Sequence, residues 1–283
     1  LRHWVGLDEK EKPKKSDLQL TAQEKKFISE HQPLVFSEVD WQPLSIVNDS
    51  PEYNGMIADY ITIISERSGL NFKFEKSETW SQVLKKYEEG KIDIVPALGL
   101  DDPIGRKILY SDTFVTFPLV IVTRDNAGHI DHTSELKGKK VAVGKGYTSY
   151  HFLKKHHPEV ELLEVNNVEQ ALILVANSEV YAFVDHLAVA SDTIQRLGFK
   201  NLKIAGQTEY VFDHRFGVDP QYPEAVSIIN KALASLTEDE HRAIYQKWLK
   251  VIYQKGVDYS LIVKVILGAI VFLAVVLYWN RRM

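Results

Sequence analysis

Between Pro33 and Asp219, short β-like runs exchange with stretches of helical spacing. Leu34-Val35-Phe36 reads as a strand, and residues 55–68, GMIADYITIISERS, place Ile57, Tyr60, Ile61 and Ile64 on one helical face. The strand NFKFE, the helix WSQVLKKYEEG stopped by Gly90, and the buried strand IDIVPAL follow. This β-α-β-α-β order predicts a mostly parallel sheet covered by helices. A second series starts at Lys139 with the strand KKVAVGK, the helix YTSYHFLKKHH and the strand VELLEV. It continues through the helix VEQALILVANS, the strand VYAFV, the helix HLAVASDTIQRLG and the strand LKIA. FPLVIVTR (117–124) and TEYVFDHRFGVD (208–219) are extended runs joining the two series, and the helices PEAVSIINKALASL and DEHRAIYQKWLKV come last. Two series joined by two crossings predict an α/β chain of two hinged lobes. Ligands of such folds bind at the carboxyl ends of strands, here in the cleft between the lobes.

The C-terminal pattern differs. From Leu261 to Trp279 the chain reads LIVKVILGAIVFLAVVLYW, interrupted only by Lys264. At about 1.5 Å per residue the run spans close to the ~30 Å core of a bilayer, which predicts a transmembrane helix over 261–279. Asp258 before it and Arg281 and Arg282 after it place residues 1–258 in the periplasm or outside the cell. Residues 280–283 then form a cytoplasmic stub of a single pass through the cytoplasmic membrane. Lys264 can snorkel to the outer headgroups, while Tyr278 and Trp279 suit the opposite interface.

Of the 283 residues, about 250 remain for a large α/β domain or two lobes. The net charge of -4 argues against a nucleic-acid surface, and the absence of cysteine excludes disulfides and thiolate metal sites. Residues 8–17, DEKEKPKKSD, read as a linker, and Thr21 with Glu24 forms a capping box that opens a short helix. LRHWVGL at 1–7 echoes YQKWLKV at 245–251, so residues 1–19 are either the tail of a preceding domain or an ordinary leader. A removed or upstream signal peptide and an output module after Met283 are expected.

Six segments in order carry a family resemblance: DWQPLS at 40–45, YNGMIADYITIISERSGL at 53–70, GKIDIVPAL at 90–98, VAVGKGYTSYHFL at 141–153, YAFVDHLAVAS at 181–191 and NLKIAG at 201–206. Together they resemble the type II periplasmic binding proteins, specifically the bacterial extracellular solute-binding proteins of family 3, over roughly residues 20–254. The tail KWLKVIYQKGVDYSLIVK, followed by a span, is similar to Venus-flytrap sensor domains of hybrid histidine kinases and related receptors. The resemblance implies a flytrap domain over 20–254. Lobe one would comprise about 20–118 and 213–254, and lobe two about 119–212. A connector at 255–260 would lead into the span.

Site residues follow partly from the resemblance. Asp185 matches the acid that receives a ligand's ammonium group in amino-acid-binding members; its other reading is a cap on the helix starting at His186. Trp41 matches a ring that stacks on ligand, against a reading as core. In the turn GKGYTS, the backbone of Gly146 and Tyr147 and the hydroxyl of Thr148 suit an anion at a helix N-terminus, or Thr148 is a plain cap. Leu98, at the end of a strand, completes the set. Arg106 lies two residues past the position of the family's carboxylate clamp, where Ile104 stands, and Ala97 and Gly99 replace the family's serines. Arg106 therefore either still reaches the cleft or is a surface arginine. Trp80 reads as core, and the histidines of HIDH (129–132) and HFLKKHH (151–157) as surface groups.

No cofactor, metal or catalytic constellation emerges, so a non-enzymatic domain is expected. The expected ligand is a small polar molecule such as an amino acid or organic acid. Closure of the lobes would pass through the final helix into the membrane, in a homodimer joined by its membrane and cytoplasmic parts. The alternative is a membrane-tethered solute-binding subunit of an ABC transporter.

Overall fold

Strand order follows directly from the alternation in the sequence. The computed structural model describes residues 18–30, 33–48, 52–100, 102, 104–249 and 280. The leader, the connector and the span expected at 261–279 lie outside the described residues. Among those described, no helix is long and apolar enough to cross a membrane.

In the first lobe, α1 (Ala22–Glu30) opens on the expected box: Glu24 N–H donates to Thr21 Oγ1 at 3.2 Å and Thr21 N–H to Glu24 Oε2 at 2.6 Å. Then come β1 (Leu34–Glu38), α2 (Met56–Ser68), β2 (Phe72–Lys76), α3 (Trp80–Glu88) and β3 (Ile94–Leu98). β1 pairs in parallel with both β2 and β3. The two-residue β4 (Leu109–Tyr110) and the long β5 (Val115–Arg124) lead into the second lobe. There β6 (Lys140–Gly144), α4 (Thr148–His156), β7 (Glu161–Val165), α5 (Val168–Ala176), β8 (Ala182–His186) and α6 (Leu187–Arg196) repeat the scheme, with β6 parallel to β7 and β8.

The return crossing departs from expectation. LKIA and TEYVFDHRFGVD are one strand, β9 (Leu202–Val218), which runs through both sheets. Gly206 between them is no breaker: a Cβ there would lie 2.0 Å from the Ile130 carbonyl oxygen, so only glycine admits that approach. β9 pairs antiparallel with β5 and then with β3 and β4, and β5 pairs antiparallel with β8. The sheets are therefore mixed rather than mostly parallel. Parallel pairing is confined to the βα units, because the two crossing strands run in opposite directions.

The βα faces fill as their periodicity requires. Tyr60 and Ile64 of α2 are fully buried near Ile228 and Ile229 of α7 (Pro223–Ala234), and Leu119, Ile121, Val141 and Val184 form a separate cluster in the second lobe. Each such side chain contributes about 1.5–3 kcal/mol by leaving water. The last described helix, α8 (Glu238–Trp248), returns to the first lobe and packs on α2.

Candidate functional site

The carboxyl ends of four strands converge between the lobes. β1 ends on Glu38, with Trp41 just beyond. β3 carries Ala97 and leads to Asp102. β6 ends at Gly144, before Tyr147 and Thr148, and β8 ends on Asp185 and His186. Glu38, Trp41, Trp80 and Asp102 from the first lobe, with Tyr147 and His186 from the second and Phe212 of β9, line a cavity of about 30 Å³. One water needs about 10–15 Å³, so the space admits one or two.

The lobes touch around this cavity. Thr148 Oγ1 donates to Asp102 Oδ1 at 2.5 Å, and Asp102 Oδ2 accepts from Gly99 N–H at 2.9 Å. The Trp41 ring meets His186 edge-on at 4.7 Å between centroids, and His186 meets Phe212 in the same manner at 4.7 Å. Tyr147 lies over the backbone of Gly144, where an added Cβ would stand 2.3 Å from its ring. Gly99 likewise leaves room for Phe212, whose Cε2 would lie 2.7 Å from a Cβ there.

Several polar atoms here have no protein partner. Glu38 is 1% exposed; its Oε2 accepts from Val39 N–H at 3.1 Å and its Oε1 accepts nothing. Burial pushes its carboxyl up to about 8, against the smaller opposing effect of the Val39 amide. Asp185 Oδ1 accepts from the backbone N–H of His186 and from its Nδ1, both at 2.7 Å. Nδ1 therefore carries a proton, and no protein group meets Nε2. His214, fully buried 5.1 Å from His186, is held well below the ordinary histidine value by burial and secondarily by His186. The Tyr147 hydroxyl is pushed up, by burial first and then by Asp185 and Glu38.

Of the residues singled out from sequence, Trp41, Tyr147 and Thr148 line the cavity. Gly146 stands beside it in the left-handed region, φ +72°, its Cβ position 4.0 Å from Trp80. Asp185 lies one layer back, behind His186. Leu98 is fully buried among Val39, Val83 and Tyr87. Arg106 turns away to Asp219 Oδ2 at 2.7 Å and the Tyr87 carbonyl at 3.2 Å. Trp80, expected in the core, is half-buried and lines the cavity. His129, His132 and His156 are exposed, whereas His151 and His157 are half-buried. Sequence reasoning passed over Glu38, although a glutamate ending the apolar strand LVFSE is the kind of misfit that marks a site. Phe212 and His214 gave no signal, since β9 alternates like any strand.

Beyond Trp41 and Tyr147, which it shares, lies a wider cavity of about 200 Å³ with polar walls that include Asp40, Lys76, Glu78, Asn166 and Arg196. Its cations are engaged: Lys76 with Glu78 at 3.4 Å and Arg196 with Asp192 at 3.4 Å.

The chain is similar to known proteins. The chain is 24% identical over 277 residues to the virulence sensor protein BvgS of Bordetella pertussis, covering 93% of this chain and 22% of that protein. It is 28% identical over 237 residues to the sensor protein EvgS of Escherichia coli K12, covering 82% and 20%. The chain thus spans about a fifth of the length of these curated relatives. The crystal structure of the BvgS periplasmic VFT2 domain superposes with a TM-score of 0.71 at 24% identity, over 81% of this chain and 98% of that one, which shows the fold. The profile of one family runs from β1 to just past α8, over residues 34–251. That match takes in both βα series and the two crossing strands, and the chain belongs to the bacterial extracellular solute-binding proteins, family 3.

Proposed function

We propose that this chain is the ligand-sensing periplasmic part of a transmembrane receptor, in which a small polar molecule stabilises closure of the two lobes. The observation that carries the reading is the contact of Thr148 with Asp102, a bond between the lobes at the rim of the cavity. The similarity to BvgS and EvgS, both named as sensors, supports the receptor context. Signal leaves through α8, which is fastened to the first lobe: Asp59 accepts from Trp248 Nε1 at 2.6 Å and Lys247 Nζ at 2.8 Å, and Tyr60 Oη meets His241 Nδ1 at 2.9 Å. The first lobe is the anchored one, the second moves, and the apolar run at 261–279 carries the motion across the membrane. The reading is of a binding domain and not of an enzyme.

A ligand shifts such an equilibrium only through its differential affinity for the closed state. The test is a thermal-shift screen of L-amino acids, small organic acids and organic amines on the wild-type chain and on T148V. A ligand that works by closure raises the midpoint of wild type, and its affinity drops about tenfold in T148V, because a hydrogen bond to a charged group is worth about 1.5–3 kcal/mol. A ligand that acts equally on both chains contradicts closure.

A further inference from the structure

The outer strands of the two lobes also end at the cleft. Lys76 ends β2, ahead of Ser77, Glu78 and Thr79, while Asn166 and Asn167 follow β7 and lead into α5. Together with Asp40 and Gln42 beyond β1 and Arg196 of α6, they line the wider cavity of about 200 Å³. The inner cavity, about 30 Å³, admits one or two waters. On the same scale the wider one admits roughly ten or more, the bulk of a monosaccharide. Crevices at strand ends are where α/β folds bind ligands.

The boundary between the two cavities is aromatic. Trp41 of the first lobe and Tyr147 of the second line both, their rings edge-to-face with centroids 6.3 Å apart. The Trp41 indole N–H is buried without a protein acceptor, and indole only donates. Hydroxyls and amides make up much of the polar wall. Asn167 Oδ1 accepts from Gln170 N–H at 2.9 Å and Thr79 Oγ1 from Gln82 N–H at 3.3 Å, so each caps a helix with its oxygen and keeps its own protons to donate. The charges of the wall stand in pairs, Lys76 with Glu78 and Arg196 with Asp192, both at 3.4 Å. A neutral hydroxylated molecule, whose groups donate and accept at once, can use both members of such a pair; an ion competes with one member for the other. Ring faces suit the C–H faces of a sugar. We propose that the wider cavity is a ligand seat for a neutral polyhydroxylated molecule, a monosaccharide or polyol, held between the lobes against Trp41 and Tyr147. The inference rests on the ligand-binding reading above, and it places the ligand beside the small cavity rather than inside it.

The test adds glucose, galactose, arabinose, mannitol and inositol to the thermal-shift screen, and follows each hit by titration calorimetry on the full chain. The expected result is that at least one of these sugars or polyols binds. K76M from the first lobe and N166A from the second then each weaken it about fivefold or more, a factor equal to about 1 kcal/mol. Both side chains are exposed and neither lines the inner cavity, so the two variants report on the wider one. Hits confined to amino acids, organic acids or amines overturn the polyol assignment and leave the sensor reading standing. A sugar or polyol whose affinity one of the two substitutions leaves untouched is not held there by both lobes, which also overturns the proposal. If no compound of any class binds, both readings fall.

Discussion

At the scale of single residues, the cleft is shaped by what Gly144 and Gly99 lack. Tyr147 and Phe212 stand where Cβ atoms at those positions would be, so ring and glycine form one unit in each case. G144A is expected to lower stability by about 1–3 kcal/mol, the usual cost of overpacking a buried site. Adding Y147A should return most of that loss, and additive effects in a denaturation double-mutant cycle would contradict the pairing. Glu38 makes a prediction of opposite character. Its carboxyl rises from the ordinary 4.5 to about 8 on folding, so between those values the folded state holds a proton that the unfolded state has released. Its contribution is complete below pH 4.5 and is lost as pH rises toward 8, at up to about 1.4 kcal/mol per pH unit. His214, whose value is lowered, acts in the reverse sense below the ordinary histidine value of 6.5 and masks the trend there. Urea denaturation of wild type and E38Q removes that masking, because His214 is common to both. The advantage of E38Q should grow from pH 5 to pH 8, and parallel profiles would contradict the buried acid.

At the scale of elements, α8 is the last described helix and, on the proposed mechanism, the part that would connect binding to the residues after it. Its N-terminus closes on itself: Glu240 N–H donates to Thr237 Oγ1 at 3.3 Å, and Thr237 N–H to Glu240 Oε2 at 2.8 Å. Removal of a cap of this kind by T237A costs about 0.5–2 kcal/mol. Asp59 fixes the other end, and its two bonds differ in weight. Lys247 is 57% exposed, and a pair of that kind contributes about 0–1 kcal/mol. The part-buried bond from Trp248 to a charged acceptor contributes about 1.5–3 kcal/mol. D59A should therefore destabilise the chain clearly more than K247M in chemical denaturation, and equal losses would show that the lysine is the true tie. Elements were the most legible part of the sequence, since the helical face of α2, the Thr21–Glu24 box and the extended crossings all follow from periodicity and capping. β9 reads as two runs in sequence, LKIA and TEYVFDHRFGVD, and the Ile130 carbonyl that Gly206 admits between them is visible only in the structure. Site residues were less legible. Trp41, Tyr147 and Thr148 lie at strand ends, where the fold dictates the cleft, but Arg106 turns to Asp219, a partner far away in sequence, and Asp185 turns onto its own neighbour His186, a side-chain choice that periodicity does not encode.

At the scale of the molecule, β5 and β9 are the two strands that pass between the lobes, and rotation of one lobe against the other must bend them. Register shifts between Pro118 and Val120 and between Ile121 and Val122 lie within that antiparallel pair. Trp41 against His186 and Asp102 against Thr148 hold the cleft shut, and the cavity left inside takes only one or two waters. On the proposed closure mechanism, a ligand larger than that enters when the lobes part. The chain has no cysteine, so spin labels go only where cysteine is introduced. The most direct test of ligand-driven closure is the distance between labels at K73C on β2 and E161C on β7, the outermost strand of each lobe. It is measured by pulsed electron spin resonance without ligand and with a saturating ligand that raises the midpoint in the thermal-shift screen. The account predicts two populations without ligand, collapsing to the closed one when the ligand binds. A distribution that the bound ligand leaves unmoved would contradict closure as the signal.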